Sequence, residues 1–251
     1  MRARVLLTLC VLGVWAGTLP ARAEDQAPAA CEVPAYLLAS ESRLPKVAAA
    51  TRENRPLDIL VVGSGSSTIP SAEDSAYPAR MEAVLKQMLP NSTVRVSVEL
   101  QRKKTAEETA AGFVKLMEAK KPTLVVWQTG TFDALTSVDP DEFRNAVGQG
   151  VVALQKADAD VVLMNLQYSP RTETMTSAPP YLDNIRVVAQ EHEVPLFDRF
   201  SIMRNWNEQG DFDLFSATHG IELAKRVHEC LGRALAKFIV DAAHPASEQQ
   251  N

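Results

Sequence analysis

Five short apolar runs, at 59–62, 94–98, 123–127, 161–165 and 195–197, constrain the fold of this chain more than any other feature. Each is too short for a helix and is bounded by turn formers or charged residues, the pattern of buried strands. Longer amphipathic stretches lie between and after them, at 77–88, 106–119, 141–156, 180–191 and 221–240. In the last, Leu223, Val227, Leu231, Leu235 and Ile239 form a stripe at helical spacing. Strands alternating with helices predict an α/β domain with a mostly parallel sheet, covered on both faces and joined by right-handed crossovers. With 251 residues the chain is long enough for one such domain with a sizeable core.

The segments outside this pattern read differently. Arg2 and Arg4 precede an apolar stretch at 5–15, and Ala21-Arg22-Ala23 offers a small-x-small cleavage site. This is the pattern of a secretory signal peptide over 1–23, with an uncleaved anchor as the alternative. No other stretch is long and apolar enough to suggest a membrane span. Residues 24–57 are expected to form a lead-in that wraps the domain, with a short helix somewhere in 35–50. The α/β domain is expected over 58–241 and a disordered tail over 242–251. The net charge is −5, and the three arginines of the expected leader are balanced by no acid. The remainder is therefore more acidic still, which argues against nucleic acid or anionic membrane as a partner. Cys10 leaves with the leader; Cys31 and Cys230 remain as an even pair in an oxidising, periplasmic or extracellular compartment. A disulfide tying the lead-in to the last helix is expected, two unpaired buried thiols being the alternative.

Chemistry is expected where strands end. The first run breaks into Gly63-Ser-Gly-Ser-Ser-Thr68, and the third into Thr129-Gly130-Thr131. Open α/β sheets bind ligands at such carboxyl ends. A third segment, Phe215-Ser-Ala-Thr-His-Gly220, is a loop opening the last long helix. His219 there is the one histidine in a loop just before a helix. His192 lies in a charged run, His228 inside the last helix and His244 in the tail, so these three read as surface or structural residues. Histidines and cysteines lack metal-ligand spacing, and the glycines do not match a nucleotide-binding fingerprint, so no metal or cofactor is expected.

Taken in order, these segments resemble the blocks of the SGNH hydrolases, also called the GDSL esterase family, from about residue 59 to about 239. The strand-to-serine turn resembles the first block, Gly-Asp/Ser-Ser-x-Thr. Trp127-Gln-Thr-Gly-Thr-Phe-Asp133 resembles the third, Gly-x-Asn-Asp, and Ser216-Ala-Thr-His219 the final Asp-x-x-His. The resemblance implies a flavodoxin-like three-layer α/β/α sandwich in which a serine attacks an ester carbonyl and His219 takes its proton. Anchoring the first block on Thr68 places Ser66 at the nucleophile, with Ser64 as the alternative. Gly130 falls in the oxyanion-hole block. Phe132 stands where the family has its donor asparagine, and Ser216 where it has the orienting aspartate; Asp213 or Asp211 is the replacement acid to consider. Phe132 is expected to line and narrow the pocket. The implied function is a small-acyl ester hydrolase or acyl-group transferase acting on small-molecule or carbohydrate esters. The alternative, motivated by the departures at Phe132 and Ser216, is a non-catalytic binding protein on the same scaffold.

Overall fold

The structure, a computed structural model, describes residues 31–214 and 220–244, apart from the side chain of Thr172. Among these, five strands form one parallel sheet: β1 (Leu57–Gly63), β2 (Val94–Leu100), β3 (Leu124–Gln128), β4 (Asp160–Met164) and β5 (Leu196–Phe197). Their order is β2-β1-β3-β4-β5, all neighbours parallel, which is the flavodoxin-like order. β3 and β4 are buried along their whole length and β1 nearly so, whereas the edge strand β2 is half exposed. That difference explains their composition, since strands covered on both faces read as near-continuous apolar runs, broken in β3 only by Gln128 at its end and in β4 only by Asp160 at its start.

Ten helices complete the described fold: α1 (Pro45–Arg52), α2 (Tyr77–Met88), α3 (Ala106–Ala110), α4 (Phe113–Lys120), α5 (Thr131–Leu135), α6 (Pro140–Lys156), α7 (Pro170–Met175), α8 (Pro179–Glu191), α9 (Arg199–Glu208) and α10 (Gly220–Ala243). α2 packs along α10, and α1 also meets α10, on one face of the sheet. α3, α4 and α8 gather around α6 on the other. The expected stripe on α10 is the one it buries, with Val227, Leu231, Leu235 and Ile239 inside and Leu223 packed at its edge.

Several expectations change in detail. The helix expected over 106–119 is two helices, because the chain turns at Ala111 and Gly112. β1 lies inside the sheet but one strand from its edge; the middle strand is β3. α5, α7 and α9 were not anticipated. The expected helix in 35–50 is a single 3-10 turn (Ala35–Leu37) followed by α1. α1 is integral to the domain. It has no side-chain cap of its own, and Asp160 Oδ2 at the start of β4 accepts from the Lys46 and Val47 amides at 2.9 and 3.0 Å. Those are donors that a helix N-terminus leaves without partners. At the other end, α10 runs through buried Ala242 and Ala243, past the expected boundary at 241. Cys31 and Cys230 are joined by a disulfide, with Cα atoms 4.9 Å apart, so the lead-in is tied to α10. Residues 1–30, which hold the expected signal peptide, lie outside the described residues.

Candidate active site

β1 and β3 are adjacent, but their connections leave toward opposite faces, so a crevice opens at their carboxyl ends. Their register pairs Val62 with Trp127. The next residues, Gly63 and Gln128, therefore stand side by side where both strands finish. After Gly63 the chain makes a tight 3-10 turn over Gly65–Ser67, capped by the Ser64 side chain. The turn folds back so closely that a Cβ on Gly63 would lie 2.0 Å from Ser67 Oγ. Only glycine permits that approach.

Gln128 is the hub of the crevice. It is a polar residue at the end of a buried strand, and its amide is saturated. Oε1 accepts from Ser67 Oγ at 2.7 Å and from Tyr77 OH at 3.2 Å. Nε2 donates to Ser64 Oγ at 2.8 Å and to Ser66 Oγ at 3.0 Å. A second donor, Arg199 Nη1, reaches Ser66 Oγ at 3.3 Å. With two N–H groups directed at its oxygen, Ser66 keeps its own proton to give to another acceptor. Ser64 Oγ lies 3.2 Å away. Of the two serines that the sequence leaves as alternatives, Arg199 reaches Ser66, and Gln128 reaches both.

The supporting residues are buried. Tyr77 opens α2, and its backbone N–H donates to His228 Nδ1 at 3.0 Å. The neutral His228 ring therefore carries its proton on Nε2. Burial, then the nearby Arg199 charge, pulls the His228 pKa down to about 4. Burial likewise raises the Tyr77 pKa, so its phenol stays protonated. Burial lowers the Arg199 pKa to about 10, still cationic at neutral pH.

Gly130 and Phe132 sit on the β3 side, where Ser64, Gln128, Gly130 and Phe132 share the lining of a small cavity of about 20 Å³. Phe132 thus shares this lining with Ser64 of the serine turn. Gly130 caps α5 with φ of 92°, and a Cβ on it would lie 2.6 Å from Leu166 Cδ1. Asp133, one residue beyond Phe132, accepts from the Ala106 amide at 2.8 Å and so ties α5 to α3. Its pKa is raised by burial.

His219 and Ser216 lie outside the described residues. The residues that flank their segment, Leu214 and Gly220, both line a cavity of about 280 Å³ together with Arg199 and His228. Asp211, whose backbone N–H donates to the Trp206 carbonyl at 2.9 Å, and Asp213 precede Leu214 in the chain. Ser67, Tyr77, Gln128, Arg199 and His228 were not expected in the site. Gln128 had a readable signal: it interrupts an apolar strand just before the Thr-Gly-Thr break. Arg199 and His228 had none, because only the fold brings α9 and α10 to the end of β1. Among the described residues no group of acidic, histidine or cysteine side chains is placed to hold a metal.

The model of the Non-GDSL lipase-like family matches residues 30–245. Curated proteins give no significant match to the sequence. Solved structures do share the fold. TesA superposes with a TM-score of 0.56 at 19% identity, covering 72% of this chain and 99% of that one. The psychrotrophic esterase EstA from Pseudoalteromonas sp. gives 0.58 at 15% identity, covering 74% and 97%. Axe2, an acetylxylan esterase from Geobacillus stearothermophilus, gives 0.58 at 18% identity, covering 72% and 93%.

Proposed function

The chain belongs to the Non-GDSL lipase-like family, and from that premise we propose that it is a hydrolase of SGNH/GDSL type that hydrolyses small acyl esters through Ser66. One observation carries the reading. Ser66 Oγ stands at the crevice between the ends of β1 and β3 and receives N–H groups from Gln128 and Arg199. Its proton is thereby left for a base.

The steps follow from serine chemistry. Ser66 Oγ attacks the ester carbonyl carbon as its proton passes to His219. The carbonyl oxygen becomes an oxyanion. The carbon–oxygen bond to the alcohol then breaks, and the alcohol leaves with the proton from His219. Water attacks the acylated serine by the same route and releases the acid. Phe132 cannot donate to the oxyanion. We assign that role to Gln128, whose Nε2 is 3.0 Å from Ser66 Oγ and would exchange that hydrogen bond for one to the carbonyl oxygen once Ser66 Oγ has attacked. Asp213 and Asp211 remain the candidates to orient His219. An acetyl-sized acyl group suits a crevice narrowed by Phe132, and the acetylxylan esterase fold of Axe2 is consistent with carbohydrate acetates as substrates. The leader-like 1–23 segment and the disulfide support action after export, in a periplasmic or extracellular setting.

The test is hydrolysis of an activated acetate ester by purified wild type, Ser66→Ala and the double variant Phe132→Asn with Ser216→Asp. Wild type should turn over slowly and Ser66→Ala should fall to background. The double variant should be faster than wild type. Equal background rates for wild type and Ser66→Ala would end the reading. Activity gained only in the double variant would identify a binding module on a hydrolase scaffold.

A further inference from the structure

Among the described residues Arg199 is a charge without a counter-charge. It is 1% exposed and remains cationic at neutral pH. Its one hydrogen-bond partner among the described residues is Ser66 Oγ, and its buried Nε has none. No carboxylate of the described residues pairs with it, and the phenol of Tyr77, the nearby acidic group, is held neutral by burial. A buried cation left in this condition costs stability, and sites that break the rules of folding in this way are commonly functional.

The surroundings of Arg199 are shaped for a ligand. It forms part of the wall of the 280 Å³ cavity, where Tyr168, Met203, Leu223 and Leu231 supply apolar surface. His228 is also in that wall. Its Nδ1 accepts from the Tyr77 amide, so its neutral ring offers an Nε2–H donor. No acidic side chain lines this cavity among the described residues. The cavity therefore combines a cation, a second donor and hydrocarbon walls, and Arg199 links it to the proposed nucleophile.

We propose that this cavity is a carboxylate subsite, and that the preferred substrates are half-esters of short dicarboxylic acids. The free carboxylate pairs with Arg199, the methylene spacer lies along the apolar wall, and the ester carbonyl reaches Ser66. Because Arg199 Nη1 is 3.3 Å from Ser66 Oγ, the two ends of the acyl group must be close, as in a succinyl group. The placement of the acyl group rests on the ester-hydrolase reading; the anion site does not.

Two arms test the proposal separately. In the first, Ser66→Ala protein is titrated with monomethyl succinate and with neutral dimethyl succinate, by calorimetry and thermal shift. The anion should bind at least about tenfold tighter than the diester, and Ser66→Ala with Arg199→Met should lose that preference. In the second, kcat/KM is compared for 4-nitrophenyl hemisuccinate and the neutral 4-nitrophenyl butyrate. Wild type should favour the hemisuccinate about tenfold or more, and Arg199→Met should bring the ratio close to one. Arg199→Met should unfold at the wild-type temperature or above it, since it removes an unpaired charge; a strongly destabilised variant would make Arg199 a structural residue. Equal binding of anion and diester would overturn the proposal while leaving Ser66-dependent hydrolysis of the butyrate intact. Arg199-dependent anion binding without hydrolysis of either ester would support the subsite and end the hydrolase reading.

Discussion

Replacing Gln128 by methionine removes four hydrogen bonds at nearly constant volume. The magnitude follows from where the partners lie. Ser64 and Ser66 are half-buried and can turn to water. Ser67 and Tyr77 are buried, and their hydroxyl oxygens are 3.1 Å apart. Without Oε1, one of these hydroxyls can donate to the other, but the second donor is then stranded. A stranded buried donor costs about 1–3 kcal/mol, and a further lost bond about 1 kcal/mol, so Gln128→Met should cost about 2–4 kcal/mol. Urea unfolding followed by tryptophan fluorescence measures this, since Trp127 adjoins the site. Tyr77→Phe should be less damaging in the Gln128→Met background than in wild type, because the stranded hydroxyl is gone. The rate on an activated acetate ester should fall about 10²–10³-fold, as for removal of an oxyanion donor. A Gln128→Met protein within about 0.5 kcal/mol of wild-type stability and with the wild-type rate would refute the reasoning.

Three further outcomes are expected. The His228 pKa falls from 6.5 unfolded to about 4 folded, so the unfolded chain binds the extra proton first. The stability linked to His228 is complete above about pH 6.5 and is lost as pH falls toward 4, by about 3 kcal/mol. His228→Asn, which keeps an acceptor for the Tyr77 amide, should lose that dependence in urea titrations across this range. Reducing Cys31–Cys230, which closes a sequence separation of 199 residues, should lower stability by up to about 5 kcal/mol by the chain-entropy model; unfolding with and without reductant checks it. Gly63→Ala should displace Ser67 from Gln128, since the added Cβ would lie 2.0 Å from Ser67 Oγ. A loss of stability of about 1–3 kcal/mol and a slower ester reaction are the expected readouts.

The sheet could be read from the sequence because its central strands are buried on both faces. Apolar residues fill 59–62 of β1 and 161–164 of β4, and these short runs stand out against amphipathic helices. The helix breaks were harder. Ala111 and Gly112 interrupt what periodicity alone joins into one helix, and α5, α7 and α9 are too short or too polar to rise above it. At the site, Ser66 and Gly130 follow strands that were legible, so their positions were legible as well. Arg199 and His228 were not, because each lies in a helix whose sequence gives no sign of the neighbour it meets. Their meeting in the wall of one cavity depends on the order β2-β1-β3-β4-β5 and on α10 packing along α2, which are long-range facts. Phe132 shows the reverse case: the sequence flagged a missing donor, and Gln128, to which we assign that role, lies four residues earlier in the same segment.

The most direct test of Ser66 as the nucleophile is covalent capture. A fluorophosphonate ester reacts when an activated serine oxygen bonds to phosphorus and fluoride leaves, so intact mass reports one adduct and peptide mapping its position. Wild type should gain a single adduct on Ser66, Ser66→Ala should gain none, and Ser64→Ala should still be labelled. Labelling of Ser64 in place of Ser66, or identical labelling of wild type and Ser66→Ala, would contradict the account.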